Sequence, residues 1–178
     1  IIEEIDICKV YGYSDIGAGP PVYDSRETGE GNMFFALSGL QKDGHDYIEE
    51  AVDGGASVIF GEKNISEISC EPDTYIKVFD TRKVLSQVSD IYYDKPTSKI
   101  FTVGITGTNG KSTTAHLCAN LFPKKAELIS TISNPEKPGK KEPVTTPEAP
   151  IIHEKANSAL ENNKEVLIME KLGKRLGD

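Results

Sequence analysis

The chain has 178 residues, of which 37% are hydrophobic and 7% aromatic, enough for one domain with a sizeable core or for two small ones. Its net charge of −8 argues against a nucleic-acid-binding surface, and neither a run of about 18 apolar residues nor a signal-peptide pattern is present. Cys8, Cys70 and Cys118 are widely spaced without a C-x-x-C pair, so neither a zinc site nor a disulfide framework is indicated and a reducing cytoplasm is the expected home.

The chain opens on Ile rather than Met, which suggests a trimmed chain or a missing start. Ile5 to Tyr13 mixes β-branched and aromatic residues and predicts a strand, followed by the breaker cluster Gly17 to Pro21. Val22-Tyr23-Asp24-Ser25-Arg26 leads into a turn at Gly29 to Asn32, and Met33 to Leu37 is an apolar run of the buried-strand kind. Ser38 to His45 is polar and loop-like. Asp46 to Val52 has helical spacing, with Gly54-Gly55 where a C-terminal cap belongs. Ser57 to Phe60 and Tyr75 to Phe79 read as further strands. Asp80 then caps a helix from about Thr81 to Tyr93, in which Val84, Leu85, Val88 and Ile91 keep helical spacing, and Asp94-Lys95-Pro96 stops it. Strand, helix and strand on short links imply a small α/β unit with at least partly parallel strands.

Pro96 to Lys99 is the candidate domain boundary. Residues 1–98 hold 8 Lys+Arg against 19 Asp+Glu, a balance of −11, whereas residues 99–178 hold 12 against 9, a balance of +3. The second unit begins with a β-favouring run at Ile100 to Val103 and continues into Thr106-Gly107-Thr108-Asn109-Gly110-Lys111-Ser112-Thr113, after which the residues suit a helix ending near Pro123. Strand, glycine loop and helix form a phosphate-binding arrangement. Glycines let backbone N–H groups point inward, and the helix N-terminus adds partial positive charge. Lys111 can reach the β- and γ-phosphates of a nucleotide such as ATP, and the Ser112 hydroxyl can ligate Mg²⁺. The spacing departs from G-x-x-x-x-G-K-[ST], which would need glycine at position 105 where this chain has Ile105.

Beyond it, Ala126 to Ile132 predicts a strand, Asn134 to Pro143 a loop, and Thr145-Thr146-Pro147-Glu148 the opening of a helix that runs to about Asn162. Glu165 to Glu170 reads as a buried strand ending in a carboxylate. Glu170 then sits at the carboxyl end of a strand, where ligands of open α/β sheets collect, and could hold Mg²⁺ directly or through water, or simply face solvent. As the last strand of a short sheet, Val166 to Met169 is expected to lack a neighbour on one side. Asp24-Ser25-Arg26 offers a hydroxyl and a guanidinium to a polar ligand, or a structural ion pair. His45 could orient a substrate or bond locally, and His116 and His153 fall within helices as packing or surface residues.

The loop T-G-T-N-G-K-S-T resembles that of the Mur ligases, ATP-dependent enzymes that add amino acids to the UDP-N-acetylmuramoyl peptide precursor of peptidoglycan. Asp24-Ser25-Arg26, Gly31 to Gly39, Asp43 to Ile48, Asp80 to Lys83 and Thr145 to Glu148 are similar to the MurE type, which adds the third residue of the peptide. The resemblance implies an N-terminal α/β domain at 1–98 that binds UDP-N-acetylmuramoyl-dipeptide. It further implies the start of a P-loop α/β domain at 99–170 that binds ATP and Mg²⁺, and a tail at 171–178 outside the family pattern. By resemblance Tyr23, Ser25, Leu40, Gln41 and Lys42 would line the uridine site. Gly107, Thr108, Asn109, Gly110, Lys111, Ser112 and Thr113 would hold the ATP phosphates, and Lys111 and Glu170 would serve catalysis, with Ser112 and Glu170 at the metal. Thr145 and Thr146 would contact the muramoyl-peptide, although the family often has Asn where this chain has Val144. Lys171-Leu172-Gly173 stands where Val-Ser-Ser is expected, and the amino-acid domain has no counterpart. The expectation is therefore a ligase fragment inactive by itself. The rivals are a non-catalytic UDP-sugar or nucleotide-binding module and a folylpolyglutamate-type ligase; the latter is disfavoured because Ser112 follows Lys111 directly.

Overall fold

The computed structural model describes residues 5–13, 17–39, 42–130 and 147–170, and these divide into two compact units at Tyr92 and Tyr93. In the first unit the described strands are β1 (Ile7–Gly12), β2 (Pro21–Val22), β3 (Met33–Phe35), β4 (Val58–Gly61) and β5 (Thr74–Val78), and the helices are α1 (Ile48–Asp53) and α2 (Thr81–Tyr92). The sheet order is β1-β5-β4-β3-β2, with β1 antiparallel to β5 and the other pairs parallel. The two-residue β2 begins at Pro21, the last residue of the breaker cluster Gly17 to Pro21, and proline fits there because its strand has a described neighbour on one side only.

Continuous apolar runs are what a parallel sheet covered on both faces requires, and the side chains alternate accordingly. Met33, Phe35, Val58, Phe60, Ile76 and Val78 face Val84, Leu85 and Val88 of α2, with the Phe35 and Phe60 rings stacked at 4.3 Å between centroids. Phe34, Ile59 and Tyr75 face Ile48 and Ala51 of α1 on the other side. The start of α2 is secured twice, because the Asp80 carboxylate accepts from the Lys83 N–H at 2.8 Å and Glu62 accepts from the Thr81 N–H at 2.9 Å. α1 begins later than its spacing suggests, since Gly44–Tyr47 forms a 3-10 turn first. Gly55, at φ +99°, closes its other end as the left-handed position predicted there.

The second unit contains β6 (Phe101–Ile105), α3 (Lys111–Leu121), β7 (Ala126–Ile129), α4 (Ala149–Glu161) and β8 (Val166–Glu170). The strands are parallel in the order β6-β8-β7. Chain order misleads here: β8, expected at an open edge, is central and hydrogen-bonded on both sides. Val166 and Ile168 pack with Ala115 of α3, and Leu167 packs with Ala156 and Ala159 of α4. A strand with a helix on each face and a strand on each side is the most buried position available, and its uninterrupted apolar run suits that place. In this second sheet the strands with an open side among the described residues are β6, where Phe101 is 69% exposed, and β7. No described helix is long and apolar enough to cross a membrane.

Candidate functional site

In the first unit, a cleft of about 310 Å³ is lined by Tyr23, Ser25, Lys42, Tyr47, Glu50 and their neighbours. Its floor follows from the turn after β2. Asp24 caps the 3-10 turn Ser25–Glu27 by accepting from the Arg26 N–H at 3.1 Å, and its two oxygens also take Nε and Nη2 of the Arg26 guanidinium at 2.9 and 2.5 Å. That fork holds the Asp24 carboxyl below its ordinary range, with burial opposing. Ser25, buried between these charges, donates its hydroxyl to Glu50 Oε2 at 2.7 Å. Lys42 reaches the face of the Tyr47 ring, with Nζ 5.7 Å from its centroid.

The segment carrying Lys42 is shaped by a polar cluster at its base. Asp43 accepts from the backbone N–H and Nδ1 of His45 and pairs with Lys63 at 2.8 Å. His45 Nε2 receives the Glu62 N–H at 2.9 Å. A backbone N–H can only donate, so Nε2 carries a lone pair and Nδ1 the proton given to Asp43. Burial raises the Asp43 carboxyl, but the Lys63 and His45 bonds outweigh it and hold the group well below its ordinary range. His45 thus bonds locally rather than facing the cleft. Gly44 sits where a Cβ would meet Leu37 and Ala36 backbone atoms at 2.5 to 2.8 Å, so the close approach of the two segments requires glycine.

In the second unit the connection from β6 to α3 is the glycine loop. Gly107 has φ +149° and Gly110 φ +78°, both conformations that L side chains rarely adopt. Gly110 is the N-cap and offers no side chain, so the first N–H groups of α3, at Lys111, Ser112 and Thr113, meet no side-chain cap from it. Thr108 and Asn109 are exposed on the same loop. Lys111 folds back over the loop, its Nζ donating to the Gly107 carbonyl at 2.7 Å. Glu170, 2% exposed, ends β8 directly opposite Ile105, the last β6 residue before the loop. Ser112 and Glu170 supply hard oxygen donors, and no group of three or more His, Cys, Asp or Glu suited to a metal occurs among the described residues. Two protein oxygens suit Mg²⁺, which keeps waters and takes phosphate oxygens for the rest of its shell.

Tyr23, Ser25 and Lys42 are therefore brought to one cleft, and Gly107 to Thr113 with Glu170 to one sheet edge. Leu40, Gln41, Thr145, Thr146 and the tail 171–178 lie outside the described residues. Sequence reasoning missed Glu50 and Tyr47; a charged residue on a short helix carries no local mark of the serine it faces 25 residues earlier.

Two family profiles match the chain: "Mur ligase family, catalytic domain" over residues 22–93 and "Mur ligase middle domain" over residues 105–177. A UDP-N-acetylmuramoyl-L-alanyl-D-glutamate--2,6-diaminopimelate ligase of Clostridioides difficile (strain 630) is 36% identical over 176 residues, 96% of this chain and 35% of the relative. A UDP-N-acetylmuramyl-tripeptide synthetase of Borreliella afzelii (strain PKo) is 35% identical over 175 residues, 93% of this chain and 34% of the relative. The chain thus spans about a third of the length of these curated relatives. The fold is shared with the crystal structure of a MurF ligase from Thermotoga maritima in complex with ADP, at a TM-score of 0.58 and 24% identity, covering 93% of this chain and 34% of that one.

Proposed function

The chain belongs to the Mur ligase family, its homologues being of the MurE type, and on that premise we propose that it supplies the precursor-binding and nucleotide-binding parts of a cytoplasmic ATP-dependent ligase. The ligase adds the third amino acid to UDP-N-acetylmuramoyl-dipeptide in peptidoglycan synthesis. Residues 1–98 form the UDP-precursor domain and 99–170 part of the ATP domain. The observation that carries this reading is the placement of Glu170 on the strand beside the one that enters the glycine loop, so that carboxylate, ammonium and helix N-terminus share one edge.

In the reaction, ATP supplies the phosphoryl group that turns the substrate carboxylate into an acyl phosphate, from which the incoming amine displaces phosphate. The chain's own contribution is positioning and charge. Backbone N–H groups from Gly107 to Thr113 hold the phosphates, and Lys111 leaves the Gly107 carbonyl to neutralise the β/γ region. Ser112 and Glu170 hold Mg²⁺. Tyr23, Ser25 and Lys42 bind the uridine end, with Leu40 and Gln41 alongside, and Thr145 and Thr146 meet the muramoyl-peptide.

Calorimetry with UDP-N-acetylmuramoyl-dipeptide and with Mg-ATP tests this reading. Ser25→Ala is expected to weaken only the former, by about 0.5–1.5 kcal/mol for each hydrogen bond lost, and Lys111→Ala only the latter. A folded chain that binds neither ligand sinks the proposal.

A further inference from the structure

A serine hydroxyl has one proton and two acceptor sites, whereas an ionised carboxylate only accepts. The Ser25 proton is therefore committed to Glu50 Oε2, 2.7 Å away, and the buried oxygen has only lone pairs left to offer. Both residues line the cleft. Of the other charged groups there, Asp24 is held by the Arg26 fork, and the Lys42 ammonium lies 5.7 Å from the Tyr47 ring centroid. The bond also spans the turn after β2 and helix α1, so the polarity of the hydroxyl is set by tertiary contact.

We infer that Glu50 is a specificity-determining positioning residue: by holding the Ser25 proton, it makes the cleft select a ligand that donates an N–H or O–H at that point. The inference rests on the uridine-nucleotide reading above and deepens it. Uridine diphosphate has two kinds of neutral donor, the imide N3–H of the base and the ribose hydroxyls. Its phosphate oxygens only accept, and beside the Ser25 lone pairs and the Glu50 charge they are repelled. The base and ribose end of the nucleotide therefore lies against Ser25, and the diphosphate lies away from Glu50. A cytosine ring has no proton on N3 and carries its N–H donors on the exocyclic 4-amino group instead, so it presents no donor where uracil has the imide proton.

The test is calorimetry on the 178-residue chain with UDP, 3-methyl-UDP, which lacks the imide proton, and 2′,3′-dideoxy-UDP, which lacks the ribose donors. One of the two analogues is expected to bind about tenfold more weakly than UDP, because a buried acceptor loses its donor. In Glu50→Ala the Ser25 hydroxyl rotates freely and can donate, so the penalty against that analogue is expected to fall below about threefold. Glu50→Gln, whose amide oxygen can accept the same proton, restores it. A residue that merely stabilised the fold would weaken all three ligands together. Equal binding of UDP and both analogues, or a penalty unchanged in Glu50→Ala, overturns the inference while leaving the uridine reading intact. Absence of UDP binding by the folded wild-type chain overturns both.

Discussion

At the scale of single residues, the first unit depends on polar groups whose roles are set by their immediate partners. Asp43 is the clearest, because its carboxylate is shared by Lys63 and by two groups of His45. A carboxyl held below its unfolded range stabilises the fold above the unfolded value, here the ordinary 3.8, and that contribution is lost as pH falls through the folded value. The side chain is 34% exposed, so solvent screening limits the ion pair to about 1 kcal/mol. Asp43→Asn is therefore expected to lower Tm at pH 7 by roughly 4 °C. Thermal melts of variant and wild type should converge as pH drops below 3.8; a gap that stays constant or widens with acid would contradict the assignment.

At the scale of elements, burial separates side chains that look alike in sequence. Leu85 in α2 is fully buried against the sheet, while Leu121 at the end of α3 is 75% exposed. Leu85→Ala should cost about 2–5 kcal/mol in denaturant unfolding, and Leu121→Ala no more than about 0.5 kcal/mol. Glycines divide in the same way. Gly44→Ala drives a Cβ into the Leu37 backbone and should disturb the segment carrying Lys42, seen as lost UDP binding; Gly104 has open space around it and should accept alanine. Loss of UDP affinity in Gly104→Ala, or none in Gly44→Ala, would refute the steric account.

At the scale of the whole molecule, every residue lining the cleft around Ser25 belongs to the first unit, as do helices α1 and α2 and strands β1 to β5. Residues 1–98 expressed alone are expected to melt cooperatively and to bind UDP within about threefold of the longer chain, a difference of less than 1 kcal/mol. A non-cooperative melt, or binding that requires residues 99–178, would show that the two units are not independent. The charge break between the halves marks the same place as the Pro96 breaker, a few residues beyond the structural division at Tyr92 and Tyr93.

What the sequence determined alone was local: the glycine loop from Gly107 to Thr113, the Asp80 start of α2, the glycine closure of α1 and the apolar runs that became strands. Each depends on backbone preferences and on neighbours within one turn, so a short window of residues carries the information. Tertiary structure decided the central place of β8, the 3-10 turn that delays α1, the local rather than ligand-facing bonds of His45, and the union of Ser25 with Glu50. Those outcomes depend on which strand pairs with which and on which distant side chain fills the facing space. Periodicity can say that Val166 to Met169 is buried, but strand order is chosen by contacts among residues far apart in the chain.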